Sequence, residues 1–151
     1  MSSSIACEPV MEVIDKTFAS LAAAEFHDLV KLRVDVFVVE QACPYPELDG
    51  RDVEPTTRHV WTADTVGPCS YLRVLDDGEA RRLGRIVTRA DVRGAGMAGA
   101  LLDHVLATTV GPWVLDAQAH LEGWYTTRGF VATGPEYLED GIAHVPMRLE
   151  R

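Results

Sequence analysis

The segment Arg93-Gly94-Ala95-Gly96-Met97-Ala98 constrains this chain more than any other. Leu83–Thr88 before it reads as a strand. From Gly94 a helical pattern opens, with Met97, Leu101, Leu102, Val105 and Leu106 on one face. Gly111-Pro112 stops that helix, and Trp113–Ala117 follows as a short apolar strand. A strand, a helix and a second strand in this order can make a parallel pair. At the turn, the first helical N–H groups lack intrahelical acceptors and lie at the positive end of the helix dipole, which makes an anion site. The glycines let a phosphate approach the main chain where a Cβ would collide with it. Arg93 can add a charge-assisted hydrogen bond. A glycine turn also serves as a plain strand-to-helix connection, so the chemistry needs further support.

Upstream, Met11–Thr17 reads as a first strand. Ser20 is a suitable N-cap for a helix whose apolar Ala22, Phe26, Leu29, Val30, Val34 and Phe37 recur at three- and four-residue steps. Cys43–Pro55 holds three of the eight prolines and reads as a long structured loop. His59–Thr62 and Cys69–Leu75 are strand-like, and Asp77-Gly78 signals a hairpin into Leu83–Thr88. A helix over His120–Arg128 ends at Gly129, and Phe130–Thr133 and Ile142–Leu149 close the chain as strands. The order is β-α-β-β-β-α-β-α-β-β, with no repeat or linker, so residues 1–151 are expected to form a single α/β domain.

Charge excludes some functions. A formal charge of −9 argues against nucleic-acid binding. No apolar stretch is long enough to span a bilayer, and the N-terminus lacks a secretory pattern. Three scattered cysteines (Cys7, Cys43, Cys69) fit a reduced, cytoplasmic protein without a zinc site or any other metal site. Charge is also unevenly spread. Arg81, Arg82, Arg85, Arg89 and Arg93 make a basic segment, whereas Glu47, Asp49, Asp52 and Glu54 crowd one loop. The first suggests an anion site and the second a cation-attracting surface, against the ordinary alternative of solvated faces.

Two other nucleotide folds compete for the glycine turn. The P-loop is excluded because Gly-x-x-x-x-Gly-Lys-Ser/Thr is missing. Gly94, Gly96 and Gly99 do complete Gly-x-Gly-x-x-Gly, but the unit follows antiparallel strands instead of opening a doubly wound sheet.

Arg93-x-x-Gly96-x-Ala98 resembles the Arg/Gln-x-x-Gly-x-Gly/Ala motif of the GCN5-related N-acetyltransferase (GNAT) superfamily, and Trp124-Tyr125-Thr126-Thr127-Arg128-Gly129-Phe130 resembles its second signature. The runs 32–41, 44–52, 115–121 and 139–144 are similar to the bacterial ElaA-like branch. The resemblance implies a GNAT fold: a central mixed, mostly antiparallel sheet of six to seven strands flanked by helices. It also implies acetyl-CoA as co-substrate, no metal, and transfer of the acetyl group to a small-molecule or peptide amine. Carried over residue by residue, the main chain of Ile86, Val87 and Thr88 would meet the pantetheine arm and the thioester carbonyl. The main-chain amides of Arg93, Gly94, Ala95, Gly96, Met97 and Ala98 would hold the pyrophosphate. Gln118 stands where the family often has asparagine, Thr88 where it often has valine, and Ala90 where it often has proline. Arg81, Arg82 or Arg89 would reach the terminal phosphate unless they are ordinary surface arginines.

Tyr125 matches the tyrosine that protonates the leaving thiolate; its other reading is an amphipathic aromatic packed beside Trp124 and Phe130. For the general base the sequence leaves Glu40 and His120, with His120 preferred because neutral imidazole suits proton removal near pH 7. His59 and His144 are weaker candidates. A longer-chain acyltransferase of the acyl-homoserine-lactone-synthase type and a non-catalytic CoA-binding sensor remain as alternatives. A homodimer is also left open. The acidic loop points to a cationic acceptor, unless its aspartates merely cap turns.

Overall fold

The computed structural model describes residues 11–151. Strands β1 (Ile14–Thr17), β2 (Arg58–Ala63), β3 (Pro68–Asp76) and β4 (Arg81–Thr88) form an antiparallel meander. The chain crosses through α2 (Met97–Thr108) to β5 (Trp113–Gln118), which runs parallel to β4. After α3 (Glu122–Thr126) it returns as β6 (Val131–Ala132), β7 (Tyr137–Glu139) and β8 (Ile142–Leu149). The sheet order is β1-β2-β3-β4-β5-β8-β6, with β7 also on β8. This is the mixed, mostly antiparallel sheet expected from the sequence. It has eight strands because of β7, whose three exposed residues carry no alternating pattern.

The two faces are covered differently. On one, α2 and α3 pack Leu101, Leu102, Val105 and Tyr125 against Val60, Leu72, Leu83, Leu115, Ala117, Val145 and Met147. On the other, α1 (Ala23–Val34) and its extension place Leu29, Leu32 and Val36 on Trp61, Tyr71 and Val87. The first group spans β2 to β8, but the second reaches only β2 to β4.

Several boundaries differ from the sequence reading. β1 begins at Ile14, where pairing with β2 begins, and not at Met11. Ser20 lies in a short 3₁₀ turn, and α1 starts three residues later. Its first free amide, on Ala22, is met by the Glu25 carboxylate at 2.9 Å, so a glutamate reaching back takes the capping role. The second helix begins at Met97, because Gly94 and Gly96 adopt left-handed φ of 85° and 78°. The expected helix over His120–Arg128 divides into a 3₁₀ turn, Ala119–Leu121, and a short α3. Gly129 (φ 97°) reverses the chain there. Its amide bonds Thr126 O and that of Phe130 bonds Tyr125 O, the Schellman pattern that ends a helix.

Two irregularities shape the site. Beyond Val34 the winding loosens into a π-helical extension, Asp35–Glu40, in which Gln41 N bonds Val36 O at 3.0 Å. In β4, Arg85 and Ile86 together oppose Leu72. Arg85 takes φ 52° in this β-bulge.

Candidate active site

The parallel pair of β4 and β5 joins only at Arg81–Trp113 and Arg82–Val114. Beyond Arg82 the strands diverge, leaving Gly84–Thr88 without a strand partner on that side. The glycine turn lies at the far end of this opening. Ala100 N bonds Gly96 O at 3.1 Å, so the amides of Met97, Ala98 and Gly99 before it have no intrahelical acceptor. Arg93, Gly94, Ala95 and Gly96 are exposed. An unpaired strand edge leading to a set of free amides fits an extended ligand with an anionic end.

The end of the first helix bridges the opening. Glu40 forms a bidentate pair with Arg93 at 2.7 and 2.8 Å, and Arg93 Nε also donates to Thr88 O at 3.0 Å. Gln41 and Gln118 exchange amide contacts of 3.5 and 3.4 Å. One side of the opening is therefore gripped by Glu40 and the other by Gln41. Three expected site residues, Glu40, Arg93 and Gln118, meet here through Gln41, which the sequence reading did not single out. The guanidinium of Arg93 holds the Glu40 carboxyl below its ordinary range, which makes it a poor proton acceptor. Cys43 Sγ extends the same seam, donating to Asp140 O at 3.3 Å in the β7–β8 turn.

Tyr125 approaches from the opposite, core side. It is only 5% exposed and lies edge-on to Trp124 (4.9 Å) and Phe130 (5.9 Å). Burial pushes its phenol up to about 12, so the proton is retained at neutral pH. His120 is exposed in the turn after β5.

The basic segment is not a free anion site. All five of its arginines hold carboxylates: Arg81 with Asp76, Arg82 with Asp77 and Asp116, Arg85 with Glu47, Arg89 with Asp64 and Asp91, Arg93 with Glu40. Arg81, Arg82 and Arg89 are thus engaged by their own chain, which leaves main-chain amides as the donors of the glycine turn. Gly99, the third glycine of the dinucleotide-like spacing, lies inside α2 and not in the turn. It lies under the Arg128 guanidinium, whose Nη1 donates to Gly99 O at 3.4 Å.

The carboxylates of the acidic loop are likewise held by arginines of the same chain. Glu47 and Asp52 are buried against Arg33, which is itself fully enclosed, with contacts of 2.6 and 2.8 Å. Arg73 joins Asp49 and Asp52, and Arg85 joins Glu47. Tyr45 also donates to Glu47, while Glu54 pairs with Arg51. Burial alone would raise the Asp52 carboxyl, but Arg33 and then Arg73 outweigh it and hold it below the ordinary range. His59 belongs to this cluster. Its Nε2–H donates to Asp52 O at 3.0 Å, its Nδ1 meets the Tyr71 hydroxyl at 2.7 Å, and burial keeps it neutral. The loop therefore does not offer acceptor-attracting carboxylates, and His59 has no nitrogen left for proton transfer. It carries Glu47 to the bulge, where Arg85 donates to both the Glu47 carboxylate and its carbonyl. Charge counting could not show this, because nothing in the order of residues pairs Arg33 with Asp52.

Among the described residues, no group of three or more His, Cys, Asp or Glu is placed to hold a metal ion, and no helix is long and apolar enough to cross a membrane.

Comparison with known proteins agrees with this geometry. Residues 27–151 match the profile of the GNAT acetyltransferase domain. The chain is 51% identical over 135 residues to a UPF0039 protein of Mycobacterium tuberculosis, covering 84% of this chain and 85% of the relative. It is 35% identical over 151 residues to Escherichia coli ElaA, covering 93% and 97%. The crystal structure of that ElaA superposes with a TM-score of 0.87 at 34% identity, covering 93% of this chain and all of the other. An acyl-CoA N-acyltransferase from Pseudomonas aeruginosa does so with 0.87 at 37% identity, covering 93% and 99%. With the opened sheet, the glycine turn and these relatives in agreement, the chain belongs to the GNAT acyltransferases, in their ElaA-like branch.

Proposed function

We propose that this acyltransferase moves an acetyl group from acetyl-CoA to a primary amine by direct attack, in the cytoplasm. The observation that supports the reading is the opening between β4 and β5, with free helix amides at one end and Tyr125 buried in the core beside Leu115 and Ala117 of β5. Amides from Arg93 to Ala98 take the pyrophosphate. The unpaired edge of Ile86, Val87 and Thr88 lies along the pantetheine arm and polarises the thioester carbonyl. Gln118, released from Gln41 or bonded beside it, borders the arm on the β5 side. Tyr125 gives its proton to the departing thiolate. These residues all come from one chain, so the chemistry does not require a dimer. No cysteine is needed as an acyl carrier. Cys69 is buried, and burial pushes its thiol up, away from the reactive thiolate.

The test is thiol release from acetyl-CoA across a panel of primary amines, with products identified by mass spectrometry. Acceptor-dependent release and an N-acetylated product are expected. Thiol release that no amine accelerates would leave thioester hydrolysis alone and overturn the reading. Tyr125→Phe should lower turnover by about 10²- to 10⁴-fold while leaving acetyl-CoA affinity nearly unchanged.

A further inference from the structure

We propose that His144 is the general base, taking the proton from the acceptor amine on the sheet face opposite Tyr125. The proposal rests on the amine-acetylation reading above. In the β5–β8 ladder His144 stands directly across from Gln118, and opposed residues of an antiparallel pair point to the same side. Their neighbours Ala117 and Val145 face the core that holds Tyr125. Gln118 and His144 therefore project from the other face, beyond the apolar contacts of α1 and beside Gln41 at the end of its extension. A thioester in the opening would have the acid on one side and His144 near the other, the side left open to an acceptor.

The hydrogen bonding of His144 suits the role. Nδ1 lies 2.8 Å from Ile142 O, and a carbonyl only accepts, so Nδ1 carries the hydrogen. The neutral ring then presents the lone pair of Nε2. Tyr137 stacks on the ring at 5.9 Å and 26°, fixing its direction, and His144 is only partly buried. The charged and titratable groups on the surrounding elements are Tyr137 and Glu139 of β7, Asp116 of β5 with its partner Arg82 of β4, and His120 in the turn beyond β5. The other histidines lack this combination. His59 uses both nitrogens, His104 on α2 meets Asp15, and His27 meets Asp28 on the exposed side of α1.

In the step, the amine nitrogen bonds the carbonyl carbon and its proton passes to Nε2 of His144. The carbon–sulfur bond breaks, and sulfur takes the proton of Tyr125. The imidazolium then loses a proton to water and the tyrosinate regains one, leaving an amide and a free thiol.

His144→Ala should reduce kcat/KM for a primary amine by about 10²- to 10⁴-fold at pH 7, with calorimetric acetyl-CoA affinity unchanged. Added imidazole should restore part of the rate, and the acid limb of the wild-type pH profile should disappear. His27→Ala, on the exposed side of α1, should leave both rate and profile intact. A full-rate His144→Ala, a loss that imidazole does not repair and that leaves the acid limb in place, or a transfer of these effects to His120→Ala would overturn the proposal. Absence of amine acetylation by the wild type would instead sink the reading on which it rests.

Discussion

The loop 43–55 and the turn 93–98 reverse what their compositions suggest. The loop is rich in carboxylates, yet Glu47 and Asp52 are enclosed by Arg33, Arg73 and Arg85. The turn carries one charge, and Glu40 neutralises it. Even so, the turn keeps unbonded amides for an anion, whereas the loop keeps almost nothing for a cation. Formal charge thus says little about the charge available to a ligand once buried pairing is complete.

Removing the centre of the loop cluster should have the largest effect. Arg33→Ala leaves Glu47 and Asp52 buried, although Arg85 and Arg73 still reach them. A loss of about 3 kcal/mol is expected, near the low end for one partner of a buried pair. Urea unfolding measures it, and an unchanged midpoint would mean that the cluster is solvated. For the turn, Gly96→Glu should weaken acetyl-CoA binding at least about tenfold beyond Gly96→Ala, equivalent to about 1.4 kcal/mol. The alanine variant carries the same left-handed backbone penalty without the charge, so equal calorimetric affinities would remove the pyrophosphate from this turn.

Acid should distinguish the two regions further. The folded-state values of His59, Asp49 and Asp52 are all depressed, so the unfolded chain binds more protons and stability rises with pH. The loop cluster's contribution is complete above about pH 6.5. It should decline first as unfolded His59 gains a proton, then again below about pH 4 as the aspartates do. Unfolding free energies measured from pH 7 to 3 should show both stages, and His59→Gln should remove the upper one. The smallest effect belongs to the loop's rim. Glu54→Gln breaks a half-exposed pair with Arg51 and should cost under about 1 kcal/mol, with no change in the Michaelis constant for an amine.

Much of this was legible in the residue order. Apolar spacing marked α1 and α2, the Asp77-Gly78 turn marked the β3–β4 hairpin, and the glycines marked the mouth of the site. What escaped depends on long-range contact or small departures from regularity. Glu47 meets Arg85 across 38 positions. β7 forms because β8 offers it an edge, not because Tyr137-Leu138-Glu139 alternates. The tautomer of His144 depends on one carbonyl two residues away. Glu40 was recognised, but as a base; only its contact with Arg93 shows why it is held ionised.

The π-helical extension sets the angular phase of everything after it. Each i→i+5 bond takes in one residue more than an α-turn, and one residue corresponds to about 100° around the axis. Deleting a single valine between Asp35 and Glu40 would restore ordinary winding and swing Glu40 and Gln41 away from Arg93 and Gln118 together. The two sides of the opening are thereby indexed to one extra residue, so a shift of a single position would release both at once.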